Sequence, residues 1–286
     1  MIRDAIYSVT MHGGIVIAFF GDCVGQPGRR SLQHAIPIVR QTTAPHAIVI
    51  NGENLRNGSG ITPDLYRDLR KMGADAVTLG DHVFRDARIT PVLEDPTEPI
   101  SRPANLSSKA PGKRWIRIPA TPQRPRDIFV VTVLGRVFMS LHADDPFATV
   151  DAVLASLPEK SPIVIVEAHM EATSEKAALA HHLDGRVAAV IGTHTHVPTA
   201  DARILSGGTA FITDVGMCGP YASIIGRDVK GVLRAMTTGV HTNFEMGEGG
   251  ERACGCVVEI DPVSGRAIRI ERIDIPLNQQ TAPTGG

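Results

Sequence analysis

The chain has 286 residues, 29 Lys and Arg against 30 Asp and Glu, and a formal net charge of −1. That balance excludes a broad basic face for nucleic acid and an acidic solvating tail. Apolar residues make up 43% and aromatic residues 4%, a globular composition with too few rings for a base-stacking platform.

Residues 1–13 are polar and mixed and read as an N-terminal extension. Ile15–Phe20 is a continuous apolar run of β type, too short for a membrane helix or a signal-peptide core, so no membrane partner is expected. Arg29–Arg40 reads as a helix damaged by Pro37, and Ala47–Ile50 as a second buried strand. Thr62 caps a helix with Pro63 at its first position, running to about Met72, where Gly73 ends it. Ala76–Leu79 is a third strand, and the βαβαβ rhythm implies a parallel sheet covered by helices. Trp115–Ile118 and Ile128–Leu134 are strands across a Pro-rich turn, and Asp145-Pro146 opens a helix to Leu157. Ile163–Val166 is a strand, Ser174–His182 a helix and Val187–Ile191 a strand. Two hairpins follow, Ile204–Leu205 with Ala210–Ile212 and Cys256–Ile260 with Ala267–Ile273. The reading is one domain over residues 14–277 and a polar tail over 278–286. Cys23, Cys218, Cys254 and Cys256 form no metal-binding or disulfide spacing, which points to the reducing cytoplasm.

Five of these strands end alike. Phe20-Gly21 leads to Asp22, Asn51-Gly52 to Glu53-Asn54, Leu79-Gly80 to Asp81-His82, Glu167-Ala168 to His169, and Gly192-Thr193 to His194-Thr195-His196. Ligands bind beyond the carboxyl ends of strands in open α/β sheets, so five such ends converge on one rim. Asp after a strand is ordinarily a turn or cap residue. The joint pattern is what favours a metal site, helped by glycines that permit close backbone approach. His194 and His196 are expected to alternate in an extended segment and share one side. Carboxylate and imidazole donors suit Mn, Fe, Zn, Ni or Co. The donors are too many for one tetrahedral ion, and two ions clamping a phosphoryl displacement fit them better.

The stretches Gly21-Asp22-Cys23-Val24-Gly25, Asn51-Gly52-Glu53-Asn54, Gly80-Asp81-His82, Ala168-His169-Met170-Glu171-Ala172-Thr173-Ser174-Glu175-Lys176 and Gly192-Thr193-His194-Thr195-His196 together resemble the YmdB-type branch of the calcineurin-like metallophosphoesterases. Arg102-Pro103-Ala104-Asn105, Leu134-Gly135-Arg136-Val137-Phe138-Met139 and Thr213-Asp214-Val215-Gly216-Met217 extend the resemblance, which runs from about Ile15 to about Ile273. It implies an α/β fold, a four-layer αββα sandwich with two mixed sheets. It implies two metal ions per chain, Fe or Mn with Zn as a third choice, and phosphodiesterase action on a small phosphorylated substrate such as 2′,3′-cyclic AMP. By motif position, Asp22, Glu53, Asn54 and His196 would hold one ion, and Glu53 would bridge to a second held by Asp81, His169 and His194. His82 would be the proton donor to the leaving oxygen. The resemblance also favours a homo-oligomer.

Two departures stand out. The family's motif is Gly-Asn-His where this chain has Gly80-Asp81-His82. Two divalent ions carry +4, so Asp22, Glu53 and Asp81 leave +1 where the family pattern leaves +2. An altered metal preference or pH optimum is the expected consequence. Phe84-Arg85-Asp86 replaces the family's usual Trp-Asp, and Arg85, Arg56 and Arg136 are candidate phosphate contacts or solvated loop residues. Other hydrolase classes fit worse. The Gly21–Ser31 stretch lacks the spacing and lysine of a P-loop, and no Gly-x-Ser-x-Gly elbow is present. The competing readings are a metal- and nucleotide-binding protein with weak or no turnover, and a broad phosphomonoesterase.

Overall fold

The computed structural model describes residues 13–159 and 162–277. The expected N-terminal extension, Gly13 apart, and the expected tail lie outside the described residues. In chain order, β1 (Ile15–Phe20) and β2 (Asp22–Cys23) lead into α1 (Gly25–Thr43). β3 (Ala47–Asn51), α2 (Pro63–Met72), β4 (Ala76–Thr78) and a short α3 (Thr90–Glu94) follow. Next come β5 (Ile116–Ile118), β6 (Ile128–Leu134), α4 (Pro146–Ser156), β7 (Ile163–His169), α5 (Thr173–His182) and β8 (Ala189–Thr193). The last are β9 (Arg203–Ile204), β10 (Ala210–Ile212), β11 (Met217–Pro220), α6 (Val229–Thr238), β12 (Glu251–Ile260) and β13 (Ala267–Pro276).

Local chemistry sets several boundaries. Thr62 accepts the Leu65 N–H at the start of α2, Pro63 fills its first turn, and Gly73 ends it in the left-handed region (φ 104°). Asp145 accepts the Phe147 N–H to open α4. Contrary to expectation, α1 starts four residues earlier and continues uninterrupted through Pro37 to Thr43. Proline deprives the Gln33 carbonyl of its helical partner, yet both residues face solvent, where water satisfies it. Leu32, Ala35, Ile36 and Val39 meanwhile bury against the sheet and outweigh the local penalty. The two-residue β2 and four-residue β11 were not anticipated, since no period is readable over so few positions.

The strands form two mixed sheets. One has the order β2-β11-β12-β1-β3-β4, with β13 along the other edge of β12; the other has the order β5-β6-β7-β8-β10-β9. β1, β3 and β4 are parallel, as are β6, β7, β8 and β10, while β12 runs antiparallel to β1. Side-chain alternation sorts the residues into three apolar layers. Ala18, Phe20, Ile48 and Ile50 face the side of α1 and α2. Ile17, Phe19, Val49, Ile128, Val130, Ile163, Ile165 and Ile191 fill the space between the sheets. Phe129, Val131, Val164, Val166 and Val190 face α4 and α5. Three apolar interfaces between helix, sheet, sheet and helix are the four-layer αββα sandwich that the family resemblance implied.

The inter-sheet layer changes character at one end. The same inward-facing registers that carry Val49, Val130, Ile165 and Ile191 end in Asn51, Thr132, Glu167 and Thr193, all buried. β7 also runs to His169, three residues further than the sequence suggested, so this histidine stands on the strand itself. A polar floor is thereby laid between the sheets directly beneath the strand ends.

Candidate metal centre

Glu167 is the hub of that floor. Its Oε1 accepts from Asn51 Nδ2 (2.7 Å) and Thr193 Oγ1 (2.9 Å), and its Oε2 from Thr132 Oγ1 (2.7 Å). Burial pushes its carboxyl above the ordinary range, against the nearby His169 and these hydrogen bonds. Because Thr193 spends its proton on Glu167, its oxygen accepts from His169 Nδ1 (2.9 Å). His169 Nε2 is thereby left facing the rim.

Above the floor the seven residues singled out as metal ligands gather from both sheets. His169 Nε2 lies 3.1 Å from Glu53 Oε1, 3.1 Å from Asp81 Oδ1 and 3.1 Å from His194 Nδ1. One donor atom from each of Glu53, Asp81, His169 and His194 lies within 4.8 Å of the others. A second grouping adjoins it through Glu53. Asn54 Nδ2 is 3.2 Å from Glu53 Oε1, 3.3 Å from Asp22 Oδ1 and 3.2 Å from His196 Nε2. His82 stands at the side, its backbone N–H on Glu53 Oε2 (3.1 Å), its Nδ1 on Asn54 Oδ1 (2.8 Å) and its Nε2 3.7 Å from Asp81 Oδ2. Gly80 is obligatory here, since a Cβ would fall 2.3 Å from both Glu53 Oε2 and His169 Nε2.

The donor chemistry fits cations. Two imidazole nitrogens aimed at each other across 3.1 Å need a proton or a metal between them. Burial opposes charge on both Glu53 and His169, but each offsets that penalty for the other. Glu53 is held below the usual carboxylate range and His169 well above the usual imidazole range. Asp81 is likewise depressed, against its burial, by hydrogen bonds to His169 and His194. The site thus keeps a positive charge where a cation's ligands converge. Each histidine also has an acceptor behind it. His169 has Thr193 and Glu167; His196 Nδ1 donates to the Ile225 carbonyl (2.9 Å); His194 Nε2 faces Glu171 Oε2 at 3.3 Å. Such outer partners fix which ring nitrogen is free for a metal. Asn54 is the one donor turned away, with its NH₂ inward and its carbonyl on His82, so ligation through oxygen requires the amide to turn over.

One expectation about local geometry is overturned. His194 and His196 do not alternate along an extended strand; both sit beyond β8 in the left-handed region, with φ of 92° and 66°. Their side chains therefore diverge, His194 toward Asp81 and His196 toward Asp22. Among the arginines considered for phosphate, Arg56 pairs with Asp86 (3.2 Å), while Arg85 and Arg136 are exposed. Glu167, Thr193, Glu171 and Asn51 support the site without standing among the expected donors. A glutamate inside the apolar run Ile163–His169 was the signal for the first of these.

Two sheets back to back, with carboxylates and imidazoles converging at their strand ends, define the class as that of the calcineurin-like metallophosphoesterases. The chain belongs to the YmdB-like protein family, whose sequence model matches residues 18–273. It is 40% identical over 257 residues to the 2′,3′-cyclic-nucleotide 2′-phosphodiesterase of Bacillus subtilis (strain 168), covering 90% of this chain and 96% of that one. A crystal structure of a hypothetical protein from Thermus thermophilus superposes with a TM-score of 0.84 at 39% identity, covering 92% of this chain and 99% of the other. A crystal structure described as a novel phosphatase, from Mycoplasma pneumoniae, gives a TM-score of 0.85 at 30% identity, covering 93% and 94%.

Proposed function

We propose that the protein is a dinuclear metal-dependent phosphodiesterase acting on cyclic nucleotides of the 2′,3′ type, folded as one domain over residues 14–277. The observation that carries this is the pair of donor groups meeting at Glu53 Oε1. Asp81, His169 and His194 would hold one ion, Asp22, Asn54 and His196 the other, with Glu53 shared. Fe or Mn suits these oxygen and nitrogen donors, with Zn next. Bound there, the ions supply a Lewis-acid clamp for the phosphate and a nucleophile at neutral pH.

The chain's own part is orientation and proton transfer. With Asn54 Oδ1 turned to the metal position, its Nδ2–H would face His82 Nδ1 in place of the oxygen, and the ring's Nε2 is left beside Asp81 and the open side of the site. A ribose alkoxide is a poor leaving group, and an Nε2–H at this place would protonate it. The relative with the highest identity given above bears the name of a phosphodiesterase for this substrate, which supports the same reading. Among the described residues no helix is long and apolar enough to cross a membrane. We take the protein to be cytoplasmic, consistent with four free, buried cysteines. A homo-oligomer is the assembly we favour, supported by Leu233, Met236 and Phe244, which leave an apolar face on and after α6 exposed.

The test is hydrolysis of bis-p-nitrophenyl phosphate and of 2′,3′-cyclic AMP with added Mn²⁺. Glu53→Gln should lose metal and activity together. His82→Ala should keep its metal and lose roughly 10²–10⁴-fold in kcat. Bound metal with no turnover of either ester would favour the binding-protein reading.

A further inference from the structure

The loop that carries His194 and His196 has an anchor outside the donor set. Thr195, between them, gives both its N–H (3.1 Å) and its Oγ–H (2.8 Å) to a single oxygen, Asp214 Oδ2. The same oxygen accepts from Lys176 Nζ at 2.8 Å. Asp214 Oδ1 takes the Gly216 N–H (2.8 Å), its backbone N–H goes to Thr199 Oγ1 (3.0 Å), and its carbonyl accepts the Thr199 N–H (2.9 Å). Asp214 is therefore fixed from every side. Lys176 is fully buried and Asp214 is 1% exposed. Lys176 lies in the first turns of α5, the helix that follows His169. The ion pair thus ties the loop of two histidines to the segment bearing the third.

We propose that the Lys176–Asp214 pair is the positioning device of the dinuclear centre: by pinning Thr195, it holds one histidine to each metal position. This rests on the dinuclear reading above. Three facts argue for it. Both flanking histidines occupy left-handed backbone that non-glycine residues avoid, so the loop needs an outside constraint to stay there. Their imidazoles diverge about Thr195, so a shift of this residue moves both metal positions together. A buried ion pair is also a poor source of stability compared with apolar packing, and its best-attested use is to fix one arrangement over others.

The test uses full-length protein and Mn²⁺ as the probe, with equilibrium dialysis for stoichiometry and affinity and electron paramagnetic resonance for exchange coupling between two ions. The variants are Thr195→Val, which removes one tie while keeping volume, and the double change Lys176→Met with Asp214→Asn, which removes both charges and keeps an acceptor. Unfolding of the metal-free protein is followed alongside. Each variant should bind Mn²⁺ about tenfold or more weakly at both positions, as outer-partner changes do, and show a diminished coupled spectrum. Wild-type affinity with an unchanged coupled spectrum, even with a lowered melting temperature, would make the pair merely structural and overturn the proposal. Loss confined to one position would overturn it too. Should the double variant not fold, Thr195→Val alone decides. Failure of the wild type to bind two coupled ions would instead count against the dinuclear reading, before any variant is considered.

Discussion

Asp81→Asn removes one negative charge from the centre while leaving the side-chain shape nearly unchanged. Asp81 Oδ1 stands 3.1 Å from His169 Nε2 and 3.4 Å from His194 Nδ1, so it faces one position and not the other. A unit charge ~4 Å from a divalent ion at an effective dielectric constant of ~20 is worth about 8 kcal/mol as an upper bound, of which the carbonyl dipole of asparagine, itself an oxygen ligand, keeps a large part. Two effects reduce this. The nearly buried carboxylate carries a desolvation penalty that asparagine lacks. Asp81 also helps hold the proton on His169 that an entering ion must displace, and asparagine would release it more readily. The expected outcome is therefore about ten- to a hundredfold weaker Mn²⁺ binding at the Asp81–His169–His194 position. The Asp22–Asn54–His196 position serves as internal control and should be unchanged. With one less negative charge beside the ions, bound water is more acidic, and the pH–rate profile for bis-p-nitrophenyl phosphate should move to lower pH. Mn²⁺ dialysis and that profile are the assays. Unchanged affinity at both positions together with an unchanged profile would refute the reasoning.

Two further outcomes follow from the same structure. Folding raises the affinity of both Glu167 and His169 for protons, above their ordinary values of 4.5 and 6.5. The folded state then binds more protons than the unfolded one, so the metal-free protein should lose stability as pH rises above about 6.5, the ordinary value of His169. Mn²⁺ takes the place of the His169 proton and should reverse that trend, which urea unfolding in chelator and in Mn²⁺ measures; a chelated protein more stable at the higher pH would contradict it. Ile225, half exposed, holds φ 45° ahead of Gly226 at φ 97° in a tight turn closed by the Ile224–Arg227 bridge. Asparagine suits that backbone, so Ile225→Asn should raise the unfolding free energy by about 0.5–1 kcal/mol, and a loss of stability in denaturant titration would count against a strained turn.

Much of this was legible along the chain because it depends on local pattern. Apolar runs bounded by glycine located most strands, Thr62, Pro63 and Gly73 bounded α2, and a polar donor after each of five strands marked the rim. Residue type at the strand ends was enough to pick out candidate donors, since carboxylate and imidazole there have few other joint uses, and motif position shared them out between two proposed ions. Pro37 shows where local rules fail, because burial of Leu32, Ala35, Ile36 and Val39 is a tertiary term that overrides one broken helix bond. The divergence of His194 and His196 was not readable either. The contacts that anchor their loop, Thr195 on Asp214 and His196 on Ile225, span 19 and 29 positions in the chain.

The sequence by itself determined which carboxylates and imidazoles stand as candidate donors and that they follow parallel strands. The tertiary structure decided how they are shared out. Asp22, Glu53, Asn54 and Asp81 come from one sheet, and His169, His194 and His196 from the other. Only back-to-back packing of the two sheets sets Glu53 within 3.1 Å of His169. The same packing turns the inward registers of four strands into the polar floor around Glu167. Alternation within a strand is a property of the backbone and can be read in sequence. Distance between strands of different sheets is set by the side-chain volume between them, which no single segment encodes.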